Sequence, residues 1–245
     1  MLEAVLGRNK AVPGLSRTFL LRIWLGFIII ATAGGCSAFN SETADEHAAA
    51  AAGPAFSLVI GDNDLTGSAG RQLSEAYIQG ITLGELLESS GVAEFSEDGE
   101  RMVTVNGVSL SPEMVWEIQA GGKTVTNWNS VIMRDQTIVI SAKRTEGKDP
   151  LQPVILKVSG GSGQPELTHA YVYSFADELT VRSLLKSSGI VGLSENNKRI
   201  LTVNDYSPLT SEEWKLKVND KGLLSTGIDM KLRPQDTLEL SLVLR

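Results

Sequence analysis

The chain has 245 residues, 42% of them hydrophobic, with 22 basic and 29 acidic side chains and a formal net charge of −7. An acidic protein repels nucleic-acid phosphates and anionic lipid headgroups, so we expect neither nucleic acid nor a headgroup as a partner. Because Cys36 is the one cysteine, no internal disulfide can form, and the fold must depend on its apolar core.

The first 35 residues have the composition of an export signal. Four basic residues between positions 8 and 22 precede a charge-free apolar run from Ile23 to Ala33. That run of about eleven residues is too short to span a bilayer as a helix and is typical of the apolar core of a signal peptide. It ends in Ala33-Gly34-Gly35, small residues directly before Cys36.

Small residues followed by a cysteine at this place resemble the lipobox of bacterial lipoproteins, although Ala33 stands where family members usually have leucine. The resemblance implies cleavage after residue 35, diacylation of Cys36 with fatty acids such as palmitate, and anchoring at the extracytoplasmic face of the cell membrane. Cleavage would leave 18 basic and 28 acidic residues, a net charge of −10. An ordinary secretory signal, or an anchor helix with an incidental cysteine, is the alternative.

Residues 36–55 are polar, then alanine-rich, with no apolar face to bury. This composition predicts a flexible tether. His47 lies in it and is predicted to be solvated.

The rest of the chain contains one segment twice. Residues 81–123 recur at 179–221 with a constant spacing of 98 residues, so that Trp116 and Lys123 return as Trp214 and Lys221. Self-similarity of this kind indicates a tandem duplication of a unit of about ninety residues.

In the first copy, Phe56–Ile60 is predicted to be a strand that runs into an acidic turn at 61–64. A calcium loop there would need a glutamate at its twelfth position, which Leu73 occupies, so a turn is favoured. Residues 73–78 are predicted to form the second strand of a hairpin. Thr82, with Glu85 three positions on, predicts a capped helix that ends at Gly91.

The remainder of the copy predicts three strands. Residues 102–105 precede the turn pair Asn106-Gly107, residues 114–118 alternate apolar and polar, and residues 137–141 form a last strand. The second copy repeats each element, with Ser183 in place of the capping glutamate and a small insertion before its last strand. Residues 143–152 are predicted to be a short charged linker.

Each unit is therefore predicted to be a mixed sheet of about five strands packed on one short helix, an α+β class with two tandem β-grasp-like units at 56–144 and 153–245. The motif Thr104-Val-Asn-Gly107, Trp116 and the Gly121-Gly122 turn resemble the C-terminal β-grasp domain of transcobalamin-like proteins and bacterial surface lipoproteins. The resemblance implies a ligand such as a corrinoid, a glycan or another surface protein.

No residue pattern in the chain predicts catalysis, a cofactor or a metal site. Outside the tether the chain offers one histidine, His169, whereas nucleophilic catalysis needs a histidine oriented by a third group. We expect His169 to be structural or exposed. No cluster of histidine and cysteine has the spacing of zinc ligands.

The aromatic residues supply the candidate binding residues. Trp116 and Trp214 lie at matched strand positions with aliphatic residues two positions on, which favours core packing over ligand contact. Trp128, which lies in a polar loop and has no counterpart, and Tyr206, in a turn, are the candidate ligand-binding residues.

These observations predict a lipid-anchored surface protein that acts as a non-catalytic binding module for a ligand or a protein. The alternative is a structural spacer in an envelope assembly.

Overall fold

The structure, a computed structural model, describes residues 53–147 and 149–245. The predicted signal segment 1–35, Cys36, His47 and nearly all of the predicted tether 36–55 lie outside the described residues. Within the described ranges, no helix has the length and apolarity needed to cross a bilayer.

The first half of the described chain contains eight strands and two helices. Its main sheet has the strand order β2-β1-β8-β6-β7, with β1 parallel to β8 and β8 antiparallel to β6. The elements are β1 (Ala55–Ile60), β2 (Asn63–Asp64), α1 (Ala69–Ala76), α2 (Leu83–Ser89), β3 (Ala93–Phe95), β4 (Met102–Val105), β5 (Val108–Leu110), β6 (Met114–Ala120), β7 (Lys123–Thr124) and β8 (Thr137–Arg144).

The second half follows the same connectivity in its central strands. Its sheet contains β9, β15, β13 and β14 in the positions that β1, β8, β6 and β7 hold in the first half. The elements are β9 (Pro153–Ser159), a 3-10 helix (Pro165–Leu167), β10 (His169–Ser174), α3 (Val181–Ser187), β11 (Val191–Leu193), β12 (Ile200–Val203), β13 (Glu212–Val218), β14 (Lys221–Gly222), a 3-10 helix (Ser225–Asp229) and β15 (Thr237–Leu244).

Both predicted helix starts are confirmed. In α2 the Thr82 hydroxyl accepts a hydrogen bond from Glu85 N, and the Glu85 carboxylate accepts one from Thr82 N at 3.0 Å. In α3 the Ser183 hydroxyl takes the role of that carboxylate, accepting a hydrogen bond from Thr180 N at 2.8 Å. A serine can therefore close a reciprocal cap that usually uses glutamate or glutamine.

The predicted turn pairs are also confirmed. Asn106 and Gly107 both have positive φ, and so do Asn204 and Asp205 at the matching positions. Positive φ at both central residues is the type I′ geometry that matches the twist of a hairpin.

The predicted strand at 73–78 is wrong, because residues 69–76 form helix α1. Ala69 and Leu73, four residues apart, are its buried residues, and this spacing places them on one helical face. The segment has no β-branched residue, whereas β10, at the corresponding place in the second half, alternates tyrosine with alanine and valine. The first half therefore has only the short hairpin of β1 with the two-residue strand β2, where the second half has the longer hairpin of β9 with β10.

Strand β10 joins the two halves. It pairs antiparallel with β9 on one edge and parallel with β5 of the first half on the other, which extends one sheet to eight strands in the order β14-β13-β15-β9-β10-β5-β4-β3. Ala170 N donates to Gly107 O at 2.8 Å and Ser111 N to Val172 O at 2.9 Å. Strands β11 and β12 pair separately.

Each half has its own apolar core under its helix. Leu83, Leu86 and Leu87 of α2 are fully buried in the first core, and α3 buries Val181, Leu184 and Leu185 in the second. The described chain is thus an α+β protein, mostly sheet with three short helices.

Candidate ligand-binding grooves

The first candidate site, groove 1, lies beside the part of the β6 edge that β7 leaves unpaired. It has a volume of about 620 Å³, and most of its lining is apolar. Trp116 comes from β6, and Trp128 comes from the loop between β7 and β8. The apolar lining includes Met102, Leu110, Met114, Val115, Trp116 and Trp128.

Trp128 is held in groove 1 by three contacts. Its ring packs edge-on against Phe95, with centroids 5.0 Å apart and planes at 88°. Its indole Nε1 donates to Glu100 O at 3.3 Å. Its backbone lies against α2, where a Cβ on Gly84 would be 3.3 Å from Trp128 Cβ. The predicted ligand-binding residue is therefore half-buried, with one role in fixing the wall of the groove and another in lining it.

The second candidate site, groove 2, occupies the matching place along β13. Its volume is about 660 Å³, and Trp214 holds the position that Trp116 holds in groove 1. Its apolar lining includes Ile200, Pro208, Leu216, Leu223, Leu224 and Ile228.

The wall of groove 2 is fixed by ionic contacts rather than by an aromatic ring. Arg182, at the position of Gly84, forms a bidentate pair with Asp229, with distances of 2.6 Å (Nε to Oδ1) and 2.8 Å (Nη2 to Oδ2). Its Nη1 donates to Asn197 O at 2.7 Å, in the loop that matches the one Trp128 reaches. The hydrogen bonds from Arg182 lower the pKa of Asp229. Two different side chains therefore hold the same loop in the two halves.

The sequence prediction for Trp116 and Trp214 holds in part. Both indoles pack against their cores and are partly buried, and both also line a groove. Core packing and a place in the groove lining occur together because each tryptophan lies where the core reaches the sheet edge.

The structure does not place Tyr206 among the lining residues of either groove. Its hydroxyl donates to Glu212 Oε2 at 2.7 Å, and that hydrogen bond raises the pKa of Tyr206. The same carboxylate oxygen accepts a hydrogen bond from Leu209 N at 2.9 Å. Tyr206 thus helps to fix the start of β13.

His169 lies at the junction of the two halves, beside a cavity of about 420 Å³. Its Nε2 is 2.8 Å from Ser109 Oγ, and its ring lies 4.6 Å from that of Tyr171. Burial lowers the pKa of His169, and the negative charge of Glu94 opposes that shift. The Glu94 carboxylate accepts a hydrogen bond from Thr104 at 3.0 Å. Within the described chain Ser109 is the hydrogen-bond partner of the ring, so no carboxylate orients it as a catalytic base requires.

The described residues contain no group of three or more His, Cys, Asp or Glu side chains placed to hold a metal ion. The predicted turn at 61–64 is present, and Asp64 Oδ1 accepts a hydrogen bond from Thr66 N at 2.9 Å.

Comparison with known proteins gives little. No family model and no curated protein matches the chain. One solved structure with similarity is that of "a putative metal binding protein" from Ruminococcus gnavus, 17% identical, which covers 38% of this chain and 98% of its own length with a TM-score of 0.31. At that level of similarity it implies nothing about what this chain binds.

The burial of His169 predicts a pH-dependent stability. Its folded-state pKa lies below the ordinary value of 6.5, so the unfolded chain takes up a proton first as the pH falls. The free energy of unfolding should therefore decrease between about pH 7.5 and pH 5.5. Urea unfolding at the two pH values measures this decrease in the free energy of unfolding. His169→Gln, which keeps a hydrogen-bonding group near Ser109, should reduce the decrease, and an unchanged pH dependence in this variant would contradict the assignment.

Proposed function

We propose that residues 56–144 and 153–245 are two copies of one β-grasp-like unit. The shared connectivity of four central strands, the reciprocal helix caps and the matching type I′ turns support this proposal. The helix α1 is then a replacement for one hairpin strand in the first copy.

The proposal includes a lipid anchor. Residues 1–35 are a signal that is removed, Cys36 is diacylated, and residues 36–55 tether the folded part to the extracytoplasmic face of the cell membrane. The support is the sequence itself, an apolar run followed by small residues and the single cysteine. Two acyl chains give stable anchoring, whereas one gives only marginal binding.

The function that the geometry supports best is a non-catalytic binding module at the cell surface. The observation that carries it is the occurrence of a tryptophan-lined groove at the same place in both halves. Groove 1 has the size and the apolar lining of a small-molecule site. Its ligand is a molecule with a sizeable apolar face, such as a corrinoid or a neutral glycan.

A second candidate function is a structural spacer, and the eight-stranded sheet that joins the halves favours it. Cross-linking in intact cells separates the two functions, because a spacer has protein neighbours and no ligand.

The anchor is tested by replacing the acylated residue. Cys36→Ser should move the protein from the membrane fraction to the soluble extracytoplasmic fraction and abolish its labelling by radioactive palmitate. Both effects follow from the loss of the thioether that carries the lipid. A wild-type protein that takes up no label would contradict the anchor.

The binding function is tested at two exposed apolar residues of groove 1. Val103 and Val115 are 50% and 40% exposed, and Val131, which is 56% exposed, lies outside the groove lining and supplies the control. Val103→Glu with Val115→Glu should weaken ligand binding by about tenfold or more, since a charge would be buried against an apolar ligand.

The measurement is titration of the purified protein with cobinamide and with neutral oligosaccharides, followed by tryptophan fluorescence. Val131→Glu should bind as the wild type does. If no compound changes the fluorescence, or if Val131→Glu weakens binding equally, groove 1 is not the site, and protein neighbours found by cross-linking would then favour the spacer.

A further inference from the structure

The two grooves have matching positions but differ in charge. The lining of groove 1 has one charged residue, Arg101. Groove 2 has lysines at three positions where the first half has Glu100, Glu117 and Gln119. Those lysines, together with two arginines, line groove 2, which contains one acidic residue, Glu213. The cations of groove 2 are Lys198, Arg199, Lys215, Lys217 and Arg245.

Three of these five cations form no ion pair within the described chain, although Glu239 lies opposite Lys217 on β15 and the charge of Lys198 acts on Asp229. Glu213 lies 3.4 Å from Lys215 and 3.8 Å from Arg245, which are long, exposed pairs. Among the described residues no carboxylate lies within 4.0 Å of Lys198, Arg199 or Lys217, and these three side chains belong to exposed residues. A cluster of cations in a protein of net charge −7 raises the local concentration of anions.

The cations are spread along the groove rather than gathered at one point. Lys215 and Lys217 alternate with apolar residues on β13, and the strand from Glu213 to Lys217 is about 13 Å long. Lys198 and Arg199, which also line the groove, come from a different segment, directly before β12. This distribution suits an extended ligand with several negative charges better than a single compact anion.

An acidic peptide added as a strand fits groove 2 poorly. Glu212 N already donates to Leu209 O, and Leu216 O accepts from Leu223 N, both at 2.9 Å. Because the N–H and C=O groups of alternate residues face outward on an antiparallel strand, Glu212 O, the backbone of Trp214 and Leu216 N are the groups left between these two bonds. Strand addition is thus confined to three residues of β13 and would gain at most about four main-chain hydrogen bonds, which are its source of affinity. Recognition of a longer ligand in groove 2 therefore depends on side chains.

We propose that groove 2 binds an anionic polysaccharide. Carboxylate or sulfate groups pair with Lys198, Arg199 and Lys217, while the apolar face of a sugar ring packs on Trp214 and its aliphatic neighbours. A concave site beside a strand edge admits a single polymer chain and does not fit the flat surface of a bilayer. This assignment rests on the proposed binding function and names the class of ligand that groove 2 binds.

The test is to give groove 2 the residues that the first half has at the same positions. The triple variant Lys198→Glu, Lys215→Glu, Lys217→Gln should fold, because all three lysines are exposed residues. The probe is a purified oligogalacturonate, titrated by calorimetry at low ionic strength. Wild-type binding should weaken as salt is added, and the triple variant should bind about tenfold more weakly or worse.

The matched control is Lys123→Glu with Lys186→Glu, two exposed lysines outside groove 2 that remove nearly the same charge. This control should bind as the wild type does. The assignment would be overturned if the control lost binding equally or if the triple variant bound as the wild type does. It would also be overturned if the wild type bound an oligoglutamate of equal charge more tightly, or if the wild type did not bind the oligogalacturonate. Failure of groove 1 to bind a neutral ligand would contradict the proposed function and not the assignment of groove 2, because the probes for groove 1 carry no negative charge.

Discussion

The structure depends on one strand, β10, whose two faces pack against different cores. Ala170 and Val172 point into the core of the first half, and Tyr171 and Tyr173 into that of the second. A strand with period two can serve two cores only in one register, since a slip of one residue would exchange its faces. The pairing of β10 with β5 therefore joins the two halves in one eight-stranded sheet. Burial also raises the pKa of Tyr173 to about 12, so its hydroxyl stays neutral at the junction.

The same pairing explains where the halves differ. A further unit on the amino-terminal side would need a hairpin strand at residues 69–76, and helix α1 occupies that place. On the carboxyl-terminal side, Pro208 stands where β5 has Leu110, and proline cannot extend a ladder as a central strand does. Helix α1 and Pro208 thus oppose further strand pairing at these two places.

The sequence predicted the elements whose signals are local. The caps at Thr82 and Thr180 and the turn at Asn106-Gly107 depend on residues within three or four positions, and all were found. Helix α1 was missed because its apolar positions also fit a strand and because the second copy suggested one. The joined sheet and the grooves could not be predicted, since they bring together residues from several strands. The net charge led us to expect neither nucleic acid nor anionic headgroups as partners. It does not show that Lys198 and Lys217 concentrate positive charge in one groove, which an aligned comparison of the two segments reveals.

The most direct test of this account is whether a substitution on the face of β10 that packs on the first half also destabilises the second half. Val172→Ala removes two buried methyl groups from the first core and should lower the free energy of unfolding by about 2 kcal/mol. Hydrogen exchange of peptides from β1 and from β15 reports each half separately. If β10 makes the halves one unit, both peptides lose protection by the same free energy, and Val103→Ala, at an exposed site, changes neither. Loss of protection in β1 alone would show that the halves fold independently and would contradict the account.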